Sequence, residues 1–85
     1  MNNRVNSSVL YLFDIEVANL IAKSRNISHI DALRLFLNSE TYKMLVDENM
    51  KLWHFSFLAV FDMWENEVAT GEPRNSFYLR GDEIE

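Results

Sequence analysis

From Val9 to about Ser24 the chain is largely apolar and contains neither Gly nor Pro, a run too long for one strand. The pattern predicts a helix, with Ser7 or Ser8 as its N-cap. At roughly 100° per residue, Glu16, Asn19 and Lys23 fall on one narrow face. Val9, Leu10, Phe13, Val17, Leu20 and Ile21 form the opposite stripe, and Leu12, Ile15, Ala18 and Ala22 carry apolar surface much further round. A helix that is apolar over most of its circumference has to be covered on more than one side. In so short a chain that means the centre of a bundle or an interface with another chain. Asp14 falls inside the apolar arc. An unpaired buried carboxylate is costly, so it is expected to pair with a base or to accept backbone N–H bonds.

Arg25 and Asn26 break this helix, and Ser28 with Asp31 three residues later reads as a capping-box start with Asp in place of Glu. The helix that follows, about Ser28 to Leu37, is expected to bury Ile30, Leu33, Phe36 and Leu37. Ser39 can cap a short helix from Glu40 to about Val46, with Tyr42, Leu45 and Val46 inward. Residues Asp47 to Lys51 are polar and turn-like, and Leu52, Trp53, His54 and Phe55 after them are expected to pack down on the core. Ser56 caps a last helix to about Thr70, whose apolar stripe is Phe57, Val60, Phe61, Trp64 and Val68, with Asp62, Glu65, Asn66 and Glu67 off it. Gly71 stands at the expected helix stop, and Pro73 follows it. Ser76 to Arg80 is strand-like, and an acidic end follows. The fold class is therefore all-α: a small bundle of three main helices plus one short helix, with an extended acidic C-terminal tail. Its parts are a flexible lead-in (1–8), one helical domain (9–70) and the tail (71–85).

Charge sharpens this picture by its position. The 85 residues carry a net charge of −5. Acids and bases balance from Met1 to Phe61. From Asp62 onward Asp62, Glu65, Glu67, Glu72, Asp82, Glu83 and Glu85 face only Arg74 and Arg80, so the whole imbalance lies at the C-terminal end. The charge argues against a nucleic-acid binder, whose footprint is basic. The short helix from Glu40 also carries too few bases to be a recognition helix. No membrane segment is expected, because the longest apolar run is shorter than the ~20 residues a span needs and contains Asp14 and Glu16. With no targeting segment expected either, the reading is a cytoplasmic protein.

Candidate chemistry is sparse. The chain has no cysteine, so disulfides, thiolate metal sites and a cysteine nucleophile are excluded. Its two histidines, His29 and His54, lack a second ligand at helical zinc spacing. The expectation is no metal and no cofactor, with a ring nitrogen of His54 bonded to backbone or to a tyrosine. No nucleophile elbow occurs, and two glycines cannot build a phosphate loop. A non-enzymatic role is expected. Trp53, Phe55, Phe57, Phe61 and Trp64 read first as core, and second as aromatic anchors on a partner. Phe77, Tyr78 and Leu79 are three apolar or aromatic residues beyond a helix stop, which either dock on their own domain or add a strand to a partner.

Several local patterns occur together: Ile27-Ser28, Ala32-Leu33, Phe36, Ser39-Glu40-Thr41-Tyr42, and Lys51-Leu52-Trp53-His54 with Ser56. Over about Val9 to Val68 this resembles a family of short, uncharacterised bacterial proteins with an Ile-Ser, Ala-Leu, Ser-x-Thr-Tyr segment followed by Leu-Trp-His-x-Ser. Family members often have Pro after that last Ser, where this chain has Phe57. Such proteins are often encoded beside ADP-ribosyltransferase-like proteins, so the resemblance implies an antitoxin or immunity role. The expected partner is thus a toxin-like protein or, in the alternative, a second copy forming a homodimeric structural or regulatory domain. The partner-binding candidates are Leu12, Ile15, Trp53, His54, Phe77, Tyr78, Leu79, Asp82 and Glu83.

Overall fold

A computed structural model describes residues 7–76 and 78–79. The described residues form an all-α fold: α1 (Ser7–Arg25), α2 (His29–Leu37), α3 (Glu40–Val46) and α4 (Phe57–Thr70), with 3₁₀ turns at Leu52–His54 and Pro73–Asn75. The helix boundaries follow from capping chemistry. Ser28, Ser39 and Ser56 each accept a backbone N–H three residues on, from Asp31, Tyr42 and Ala59, and so satisfy a donor that the helix cannot. The α1 end is closed by Asn26 in the left-handed region (φ 57°), with the Ile27 N–H donating back to the Ala22 carbonyl at 3.1 Å. Gly71 (φ 83°) closes α4 in the same conformation.

Helix α1 packs against both α2 and α4, so its broad apolar circumference is covered from two sides. Phe13, Val17, Ala18 and Ile21 are buried in the core. The Phe13 ring meets Phe57 of α4 edge-on at 4.9 Å. At the other end Arg25 reaches α4, 2.6 Å from Glu65 and 5.1 Å above the Trp64 ring.

The inward faces of the other helices match the expected ones only in part: Phe36, Leu45, Val60 and Trp64 are buried as expected. In α2 the buried residues are Ala32 and Phe36, while Ile30 and Leu37 are 57% and 40% exposed. Ala18 and Ala32 are both fully buried, and side chains that small allow helix backbones to approach closely. Of the expected stripe Phe36 is buried and Leu33 packs on the core, while Ile30 and Leu37 lie at the rim. In α4 the buried line is Ala59, Val60, Met63 and Trp64, whereas Phe57 and Phe61 are half-buried and Val68 is exposed.

Continuing that α4 line by one turn from Met63 reaches Glu67. Its Oε2 accepts from the Glu40 N–H at 2.9 Å, and its Oε1 from the Thr41 N–H at 2.9 Å and the Thr41 hydroxyl at 2.8 Å. A carboxylate at a helix N-terminus satisfies free donors and the local dipole together. This grip turns Thr41 inward, and helical spacing then buries Met44 together with Leu45, an expected inward residue, while Val46, also expected inside, is exposed.

The chain after α4 folds back. Ser76 is fully buried, with its hydroxyl donating to Asp62 Oδ2 at 2.6 Å. Residues 78–79 form a turn rather than the expected strand. Among the described residues there is no strand.

Candidate functional site

Leu12 and Ile15 lie one helical turn apart on α1, Leu12 exposed and Ile15 half-buried. Tyr11, one turn before Ile15, is 64% exposed. Helical spacing thus orders Asp14, Tyr11, Ile15 and Leu12 around one side of α1, an apolar arc with a single acid at its inner edge. Tyr11 was not among the sequence candidates, although its position three residues before Asp14 was the available signal.

The expectation that Asp14 is paired fails. Its Oδ1 is buried and has no hydrogen-bond partner. Asp14 belongs to none of the ion pairs formed among the described residues, in which Arg25, Lys43 and Arg74 serve Glu65, Glu40 and Glu72. Burial pushes the Asp14 carboxyl above the ordinary carboxylate range. Tyr42 of α3 lies close enough to feel that charge: burial first, and then the Asp14 carboxylate, push its hydroxyl up. The Tyr42 ring is fixed edge-on against Phe36 at 5.3 Å, and Val46, one turn further along α3, is exposed.

The remaining candidates lie elsewhere. Trp53 is half-buried and packs on the core, while His54 is exposed, its ring tilted 34° against Trp53 at 5.4 Å. The hydrogen bond expected for His54 is not formed to any described residue, because the tight 3₁₀ turn directs Leu52 inward and His54 outward. Tyr78 is 48% exposed and meets Phe55 edge-on at 6.4 Å, and Leu79 packs on the core. These two residues dock on their own domain. Phe77, Asp82 and Glu83 lie outside the described residues. No ring contact or hydrogen bond among the described residues joins Leu12 and Ile15 to Trp53, His54, Tyr78 or Leu79.

Among the described residues no cluster of three or more metal-ligating side chains occurs, and no helix is long and apolar enough to cross a membrane. No protein-family model, curated protein or solved structure matches the chain.

Proposed function

We propose that the chain is a non-catalytic protein-binding module of the cytoplasm, an antitoxin- or immunity-type partner of a bacterial toxin. The observation that carries this reading is the arc of Tyr11, Ile15 and Leu12 on α1, apolar surface that two neighbouring helices leave uncovered. Contiguous exposed apolar surface on a small domain is characteristic of interaction faces. The kind of partner, an ADP-ribosyltransferase-like toxin, is what the family resemblance implies. The test is co-expression with such a toxin encoded beside this chain. A co-purifying complex and restored growth are expected, both lost in Leu12→Glu. No complex and no rescue would sink the reading.

The same arc suits a second reading, a two-fold homodimer seam, because an isologous interface uses one self-complementary patch on both subunits. Light scattering on the isolated chain separates the two: a monomer at dilute concentration removes the homodimer.

A further inference from the structure

We infer that the chain beyond α4, from Glu72 to Ser76 with Tyr78 and Leu79, is a strap that opens as a unit while α1 to α4 stay folded, and that the contact between Ser76 and Asp62 is its latch.

The placement of Asp62 on α4 makes such an opening separable from the rest of the fold. One side of α4 faces α1, where Phe57 meets Phe13 and Trp64 lies under Arg25. Another side grips α3 through Glu67. Asp62 stands five residues from Phe57 and five from Glu67, so it points about 140° round the helix from each. The strap docks on this third side. Lifting it leaves the contacts that hold α1 and α3 in place.

The bonds of the strap divide in the same way. Several are local and can move with it: the Asn75 N–H donates to the Glu72 carbonyl, the Ser76 N–H to the Pro73 carbonyl and the Leu79 N–H to the Ser76 carbonyl, at 3.0–3.1 Å. The bond that reaches back to the middle of α4 is the Ser76 hydroxyl on Asp62 Oδ2, at 2.6 Å. Around this bond Ser76 and Pro73 are fully buried, Leu79 packs on the core, and the Tyr78 ring meets Phe55 edge-on. Breaking the latch strands no charge. Asp62 is half-buried and keeps the Asn66 amide, 3.3 Å from the same oxygen, while water takes the place of Ser76. Gly71 supplies the hinge: it is exposed, has φ 83°, and has open space where a Cβ would stand. Opening uncovers Asp62 and the Phe55 ring, a surface that the closed domain covers.

The test is native-state hydrogen exchange of the ¹⁵N-labelled full chain, read amide by amide. In the wild type the Asn75 and Leu79 amides are expected to be protected, yet to exchange faster than those of Ile21 and Phe36 within α1 and α2. Ser76→Ala should speed exchange at Asn75 and Leu79 roughly tenfold, the loss of one charge-assisted hydrogen bond, and leave Ile21 and Phe36 unchanged. Asp62→Ala should do the same, and the double variant no more than either alone. Unprotected Asn75 and Leu79 amides in the wild type would show that no closed strap exists. Wild-type exchange at these two amides as slow as at Ile21 and Phe36, or equal acceleration of all four in either variant, would make the strap part of one cooperative unit and overturn the inference. No acceleration in Ser76→Ala, or additive effects in the double variant, would overturn the assignment of Ser76 and Asp62 as the latch.

Discussion

Replacing Asp14 with leucine is expected to make the free protein more stable. The argument starts from one atom, Oδ1, which is buried and accepts no hydrogen bond. A buried polar group left unsatisfied costs about 1–3 kcal/mol. Only one of the two carboxylate oxygens is sealed off in this way, so the lower half of that range applies. Leucine removes the orphan and adds apolar contact in a half-buried position, and some of that gain is offset by fitting a branched side chain. The net expectation is a gain of about 1–2 kcal/mol at neutral pH, roughly 4–15 °C in Tm for a domain of this size. Urea unfolding followed by the fluorescence of the two tryptophans, half-buried Trp53 and Trp64, which is 4% exposed, measures it.

The pH dependence supplies the sharper check. Burial raises the Asp14 pKa above its ordinary 3.8, so the native state holds this proton more tightly than the unfolded chain does. For this group stability falls as pH rises from 3.8 through the raised native value, and the penalty is complete above it. The advantage of Asp14→Leu is therefore greatest at neutral pH and shrinks as pH falls through that window toward 3.8. Asp14→Asn, which removes the charge but keeps a polar side chain, should show the same pH trend with a smaller gain. A destabilised leucine variant, or an advantage that grows on acidification, would refute the reasoning.

Glu67→Ala should destabilise by about 2–3 kcal/mol in urea unfolding, because three donors at the start of α3 lose their acceptor. Glu67→Gln, which keeps one acceptor oxygen, should lose less. Gly71→Ala is expected to lower stability by about 1–2 kcal/mol in thermal melts, since an added Cβ meets nothing within 4 Å and only the left-handed backbone at φ 83° resists it. Lys51, a non-glycine residue at φ 55°, gives the converse: Lys51→Gly should raise stability by up to about 1 kcal/mol in the same melts.

The sequence makes helix ends legible because capping depends on few, local residues. Ser28, Ser39, Ser56 and Gly71 each occupy the position the sequence predicts. The all-α class is legible for the same reason, together with the long run of α1. Helix rotation is a different matter. A stripe chosen by side-chain size and hydropathy places Ile30, Leu37 and Val68 inside, and all three are exposed. Rotation is decided by how closely backbones approach and by single polar contacts, such as Glu67 on the N-terminus of α3. That contact spans 27 residues between Glu40 and Glu67, so no local pattern announces it. For Asp14 the sequence identifies the anomaly but not its outcome: the general rule is that a buried acid is paired, and Oδ1 is buried without a partner.

The dimensions of the domain tie these differences together. Its extents are 35 × 34 × 18 Å, and helices with their side chains measure about 10–12 Å across, so in the thin direction there is room for about two layers. Between two closely packed layers alanine, valine and methionine fit, as at Ala18, Ala32, Ala59, Val60 and Met63. Larger side chains are divided: Phe13, Ile21, Phe36, Leu45, Leu52 and Trp64 are buried, whereas Phe57 and Phe61 are half-buried and Ile30, Leu37 and Leu58 are exposed. A thicker domain would have covered the outer side of α1 with another helix. In this one Tyr11 and Leu12 stay exposed on α1 and Ile15 half-buried, while Asp14 Oδ1 is buried without a hydrogen-bond partner.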